Sequence, residues 1–231
     1  MNCLQPDWPA PKHIKAYTTL RTHWGAADTE PKSTASEHTL TALLQLPTNP
    51  IWLTQTHSAT VVEATQANIN ANADASFTTN VNHVCVVLTA DCLPILICNK
   101  QGTHVAAIHA GWRGLANGII ETTLQQLPVP TEDLLVWLGP AIGPTKFEVG
   151  KDVYDTFTNQ HPEATAAFKP LADDKWLANL YALATIRLRL HGIFQIYGGD
   201  HCTHTQENLF FSYRRDQGKT GRMASVIWIE G

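Results

Sequence analysis

Residues 86–100, VVLTADCLPILICNK, place an acid and a thiol, Asp91 and Cys92, between two apolar runs. Runs of Val, Leu and Ile this short and this continuous read as buried strands joined at a brief polar break. A chain containing them must build its core around them. It must also partner the polar pair, because a carboxylate or thiolate removed from water is stable only with compensation.

The rest of the chain supplies elements to pack against these strands. IWLTQTH (51–57) and ATVVEA (59–64) read as a hairpin, and THVAAIHA (103–110), DLLVWLGP (133–140), IFQIYGG (193–199), LFFSY (209–213) and RMASVIWIE (222–230) as further strands. Within GWRGLANGIIETTLQQL, Leu115, Ile119, Ile120 and Leu124 recur at helical spacing and predict a helix that starts just after Gly114. KDVYDTFTNQ (151–160) and KWLANLYALATIRLRLHG (175–192) predict two more, the second closed by Gly192. Residues 1–50 read as irregular, with Pro6, Pro9, Pro11, Pro31, Pro47 and Pro50 interrupting any long element. Interleaved strands and helices define an α/β (mixed α+β) class of mixed sheets flanked by helices. No repeat or low-complexity tract divides the chain, and 231 residues at 44% hydrophobic suit one core, so residues 1–231 are expected to form a single domain.

Charge narrows the partners. A net charge of -4, with no Lys/Arg cluster beyond SYRRD, argues against nucleic acid or an anionic membrane and favours a small molecule. The apolar stretches end well short of the roughly 18 residues needed to cross a bilayer. MNCLQPDWPAPKH lacks the basic, then apolar, profile of a secretion signal, so the expected location is cytoplasmic. Cys3, Cys85, Cys92, Cys98 and Cys202 form no regular framework and are expected to be reduced thiols.

Three polar residues occupy one kind of position. His57 ends the first strand of the expected hairpin, Cys92 lies between two buried strands, and His109 ends the VAAIH strand before a glycine turn. Imidazole nitrogen and thiolate sulfur are preferred zinc ligands, and three protein ligands with a fourth position open describe a catalytic site. Coordination would also explain a buried thiol, since a bound metal keeps it deprotonated. The alternative leaves each of the three as packing, because free cysteine is among the most buried residue types. The spacings of 35 and 17 residues match no compact zinc-binding pattern. Cys85 and Cys98 read as core, Cys3 as a terminal thiol, and His201 and His204 as members of a polar loop.

TQTHSATVV, TADCLPILICN, AAIHAGWRGLANGIIETTL, WLGPAIGPTKFEVG and GGDHCTHTQENLFFSYRRDQGKTGRMASVIWI follow one another from about Ile51 to the C-terminus. Together they resemble the polyphenol oxidase or laccase-domain family of purine nucleoside phosphorylases, whose bacterial members are also described as peptidoglycan editing factors. The resemblance implies an α/β fold and a zinc site made by His57, Cys92 and His109. It further implies phosphorolysis of adenosine, inosine and methylthioadenosine to free base and (methylthio)ribose 1-phosphate, with adenosine deamination at the same site. Purine nucleosides and phosphate would then be the partners. Residues 1–50 are a divergent, shortened part: TTLRTHWGAAD stands where family members have TTRxGGVS, and Ser36, Glu37 and His38 stand in place of an Asn-Arg pair. The departure bears on phosphate binding, for which Arg21 is the local substitute, and leaves the metal triad untouched.

Roles can be attached to that chemistry. For deamination, water acidified by zinc to a pKa of about 7 would attack C6 of the purine, and the amino group would leave as ammonia. Asp91 is the candidate catalytic proton shuttle, the alternative being an acid that caps the turn at a strand end. The zinc-deaminase signature, with a Glu after the first ligand and a PCxxC pair, is absent, so deamination would use a separately evolved site. For phosphorolysis, an anion is held beneath the ribose while C1′ gains positive character, a task for arginines and backbone amides before a helix. Arg113 in HAGWRG and Arg214 in SYRRD are the candidate substrate-binding residues, with Arg215 adjacent. Trp112 either stacks on a base or packs on the following helix. Two other classes compete with this reading. A copper-dependent polyphenol oxidoreductase needs clustered histidines, and the chain has no HxH pair. A peptidoglycan-precursor editing or binding protein would carry zinc as a structural ion.

Overall fold

The polar break at 90–92 is where the chain passes from one sheet to another. The structure, a computed structural model, describes residues 3–26 and 33–231. In chain order the strands are β1 (Cys3–Leu4), β2 (Ile14–Thr19), β3 (Val61–Glu63), β4 (Ala75–Thr78), β5 (Cys85–Thr89), β6 (Leu93–Asn99), β7 (Val105–Ala110), β8 (Leu134–Leu138), β9 (Glu148–Gly150), β10 (Phe168–Pro170), β11 (Lys175–Ala178), β12 (Ile196–Gly198) and β13 (Met223–Ile229). The α-helices are α1 (Thr34–Leu44), α2 (Trp112–Ala116), α3 (Ile119–Gln125), α4 (Lys151–Gln160) and α5 (Leu180–Leu190). A four-stranded antiparallel sheet has the order β1-β2-β13-β5, and a six-stranded mixed sheet the order β12-β8-β6-β7-β4-β3. In the second, the outer pairs are parallel and the inner ones antiparallel. A small antiparallel sheet, β10-β11-β9, stands apart.

Two sheets back to back, with helices outside both, give one layered domain of mixed α/β content. Cys85, Val87 and Ile227 of the four-stranded sheet meet Leu96, Cys98, Ala107, Leu135 and Trp137 of the six-stranded one. On the far side of the larger sheet, Leu93, Ile95, Ile97 and Ile108 pack on Leu115, Ile119 and Ile120 from α2 and α3 and on Leu183 and Leu188 from α5. Leu40 and Leu44 of α1, with Trp24 and Trp52, cover Val86, Val226 and Trp228 on the outer face of the smaller sheet. All of β6 is buried, its alternate side chains entering different cores, so LPILICN shows no polar alternation.

Several local expectations are corrected. No hairpin forms at 51–64: β3 pairs in parallel with β4, and 51–57 meets its neighbours through single bridges, Ile51 to Cys85 and Thr54 to Asn72. Side chains replace the ladder there, Gln55 donating from Nε2 to the Leu88 carbonyl (2.8 Å) and accepting the Leu88 N–H at Oε1 (2.7 Å). His57 therefore sits in a loop at φ 61°, not at a strand end. The helix expected after Gly114 begins at Trp112 and divides into α2 and α3 at Gly118, whose φ of 88° ends the first segment. Residues 175–178 of the long predicted helix are β11, and α5 starts where Asn179 accepts the Ala182 N–H. LFFSY forms no strand, since the Phe210 N–H turns back to the Gln206 carbonyl and the Phe211 N–H meets Met223 Sδ. The N-terminal part is more regular than its prolines suggest. Thr18 and Thr19 pair with β1 while 14–18 pair with β13, and α1 forms behind Ser33, whose hydroxyl accepts the Ser36 N–H. Pro31 lies outside the described residues. Cys3 is a member of β1, paired with Thr19. Among the described residues no helix is long and apolar enough to cross a membrane.

Candidate active site

Three adjoining strands, β4, β7 and β6, end on one side of the six-stranded sheet at Asp74, His109 and Cys92. The register pairs Ala75 with Ile108 and Leu93 with Ala110, so the residues that precede β4 and β6 fall beside His109. His57 arrives from the loop above. The ligand atoms of His57, Cys92 and His109 lie within 4.8 Å of one another, with Cys92 Sγ 3.7 Å from His57 Nε2.

Asp74 organises this group. It is fully buried and holds His109 Nδ1 at 2.8 Å through Oδ1, which leaves the other ring nitrogen for a ligand. The same carboxylate accepts the backbone N–H groups of Thr56 (3.1 Å), His57 (3.0 Å) and Ser58 (2.7 Å) and the Ser58 hydroxyl (2.7 Å). One side chain thus orients one imidazole and fixes the loop that carries the other. Sequence reasoning missed Asp74, because the strand that follows it, ASFT, mixes apolar and polar residues and gives no apolar run to mark it. Gly111 is required by close approach, since a Cβ there would come within 2.9 Å of His57 Cδ2 and 3.0 Å of Cys92 Sγ.

The electrostatics follow from these contacts. Burial alone would raise the Cys92 thiol, but the charge and hydrogen bond of His109, with His57, outweigh it and draw it down. Burial likewise opposes a proton on His109, yet Cys92 and Asp74 together raise its affinity for one. Asp74 is held well below the usual carboxylate range despite its burial, by hydrogen bonds from His109 and Ser58. Cys85 and Cys98 lack such cationic neighbours, and burial pushes each up to about 12. The neighbours of Cys92, not its depth, give it thiolate character. Two imidazoles and a thiolate with a carboxylate behind one ring could hold a metal ion.

The triad forms part of the wall of a cleft of about 820 Å³. Three arginines also line it, each over an aromatic ring: Arg113 lies 4.3 Å from the Trp112 centroid, Arg214 5.6 Å from Phe147 and Arg222 5.9 Å from Tyr213. Arg222 was not singled out by sequence, where its only mark is a position between Gly221 and a buried strand. Arg215 turns away from the cleft and forks onto Asp216 at 2.7 and 2.9 Å, with further bonds to the Thr203 and Phe210 carbonyls. Asp91 lines the cleft at φ 85°, both carboxylate oxygens engaged: Oδ1 by the Thr203 hydroxyl (2.6 Å), Oδ2 by the Ser212 hydroxyl (3.1 Å) and the Arg214 N–H (2.7 Å). His201 pairs with Gln206, and neither it nor His204 joins the metal-competent group. Arg21 donates to the Glu207 carbonyl at 2.7 Å and does not line the cleft.

Known proteins are similar to this chain from end to end. A Haemophilus influenzae protein named purine nucleoside phosphorylase is 45% identical over 247 aligned positions, covering 100% of both chains. The Escherichia coli purine nucleoside phosphorylase YfiH is 44% identical over 238, covering 97% of each. The crystal structure of a Neisseria meningitidis protein matches this fold with a TM-score of 0.94 at 42% identity, covering 100% of both chains. The family model described as multi-copper polyphenol oxidoreductase laccase matches residues 13–230, which include the whole cleft-bearing scaffold, and the chain therefore belongs to that family.

Proposed function

We propose that this protein is a zinc-dependent purine nucleoside phosphorylase acting on adenosine, inosine and methylthioadenosine, and that it also deaminates adenosine in the same cleft. The observation that carries the reading is the meeting of a His-Cys-His group and three arginine-aromatic pairs in one cavity. Relatives named purine nucleoside phosphorylase, similar along the whole chain, support it.

His57, Cys92 and His109 are the proposed zinc ligands, a donor set that suits zinc and leaves a fourth position open. When bound, zinc supplies Lewis-acid polarisation and stabilises developing negative charge. Asp74 keeps the Nδ1 proton of His109 in place so that Nε2 can ligate. In phosphorolysis a phosphate oxygen bonds C1′ while the C1′–N9 bond breaks, and its electron pair leaves with the purine, which takes up a proton. Arg113 is assigned to the anionic group of the substrates, Arg214, whose fork is turned to the Glu148 carbonyl, to the wall against which they dock, and the rings of Trp112, Phe147 and Tyr213 to the purine face. The hydrogen bonds on both oxygens of Asp91 favour a positioning role, holding the Arg214 backbone, over a proton shuttle. A reduced thiol among the ligands fits a cytoplasmic enzyme. Copper oxidation of phenols is the weaker reading, because multicopper chemistry needs several histidine-rich sites and the described residues bring together this one group.

Metal analysis and a nucleoside panel, on wild type and Cys92→Ala with and without phosphate, test the reading. The wild type is expected to bind about one zinc per chain and to release base only when phosphate is present, and the variant to lose both properties. Fully metallated wild type that yields neither free base nor ammonia overturns it.

A further inference from the structure

The three arginines of the cleft differ in what they leave available. Arg214 directs both terminal nitrogens to the Glu148 carbonyl, each at 3.2 Å, so its fork is occupied. Arg113 is exposed and lies along Trp112, with no hydrogen bond fixing its guanidinium among the described residues. Arg222 is half-buried and uses a single nitrogen, Nη1, on the carbonyls of Thr220 (3.1 Å) and Gly221 (2.9 Å). Its Nε and Nη2 have no protein partner among the described residues.

The backbone beneath Arg222 is locked. Its N–H donates to the Gly25 carbonyl at 2.9 Å, and Gly25, at φ 83°, packs directly against Gly221 and Arg222. A Cβ at Gly25 or at Gly221 would overlap the other segment's backbone, so only glycines allow this approach. Arg222 then leads directly into β13, an inner strand of the four-stranded sheet. Asp91, the one carboxylate lining the cleft among the described residues, takes its donors from Thr203, Ser212 and the Arg214 amide and forms no ion pair with this guanidinium. A partly buried guanidinium with one edge tied to carbonyls and its other edge open suits a tetrahedral oxyanion, which accepts parallel N–H bonds.

We propose that Arg222 is a ligand for the phosphate co-substrate, presented by the Gly25/Gly221 backbone contact; the assignment of the anion as co-substrate rests on the phosphorylase reading above. Inorganic phosphate is titrated calorimetrically into the zinc-loaded wild type, Arg222→Met and Arg222→Lys, and KM is measured for phosphate and for inosine separately. Phosphate affinity is expected to fall about tenfold or more in Arg222→Met, with a matching rise in KM for phosphate, while KM for inosine and zinc content hold. Arg222→Lys keeps the stem and charge but not the fork; it is expected to lie between the two and carries the test should the Met variant fail to fold. Phosphate affinity unchanged in the folded variants, or no phosphate binding by wild type, overturns the assignment. Wild type that binds phosphate through Arg222 yet releases no base overturns the phosphorylase reading alone and leaves the anion site standing.

Discussion

Asp74 and Asp91 are two buried carboxylates at the same end of the molecule, one just before β4 and the other in the break before β6. Each gathers donors from segments remote in sequence, but the donors differ. Asp74 takes the His109 ring and the backbone of 56–58. Asp91 takes hydroxyls from Thr203 and Ser212 and the amide of Arg214. The first carboxylate therefore builds the metal-competent wall of the cleft, and the second builds the arginine-bearing wall. Identical side chains acquire different work from the partners that the fold delivers to them.

The sharpest way to break this comparison is Asp74→Ala. It strands the His109 ring and three backbone N–H groups in a buried place, and is expected to cost about 3–5 kcal/mol in urea unfolding. A loss no larger than that of a surface substitution would show that Asp74 is not the hub. Next comes the isosteric pair Asp74→Asn and Asp91→Asn. Chelator competition should find zinc affinity lowered about 10- to 100-fold in the first and nearly unchanged in the second. Equal weakening in both would erase the division into two walls. Asp91→Asn should instead lower kcat/KM for the nucleoside about tenfold, because a weakened bond to the Arg214 amide misplaces that residue while zinc is retained.

A smaller effect concerns the loop that Asp91 anchors. Asp216 is held below the ordinary carboxylate range, first by its hydrogen bonds with Arg215, and the pair braces 212–220. A carboxylate whose folded pKa is depressed contributes stability that is complete above its unfolded value of about 3.9 and is lost as pH falls through the folded one. Wild type and Asp216→Asn should therefore differ in melting temperature at neutral pH and converge as pH falls from about 4 through the folded value, by a modest amount because the half-buried pair is still screened by solvent. A difference that persists undiminished in acid would assign the effect to packing instead.

Much of the scaffold was legible because its strands are continuous apolar runs. β6, β7, β8 and β13 lie inside the segments expected for them, β5 starts one residue before its apolar run, and α4 coincides with KDVYDTFTNQ. His57, Cys92 and His109 were also identifiable as a group, since polar ligand types at the ends of apolar runs are rare enough to compare, and they do converge. The failures share a cause. At 51–57 and 209–213 the backbone is satisfied by Gln55, Asp74, Gln206 and Met223 through contacts that no local pattern announces. Arg222 was overlooked because an arginine at the start of a strand is ordinarily a solvated charge.

By itself the sequence determined which segments are buried and which ligand types lie at their ends. Continuous Val, Ile and Leu have no stable place except a core, and that rule is local. Only the tertiary structure decided which acid stands behind a metal ligand and which behind an arginine. In sequence Asp91 stands between two apolar runs whereas Asp74 precedes the mixed stretch ASFT, and neither setting names a partner. Antiparallel pairing of β4 with β7 sets Asp74 against His109, while the break between β5 and β6 leaves Asp91 facing the C-terminal loop. Hydrogen bonds reach only about 3 Å, so a carboxylate's role is set by what the fold brings within that distance.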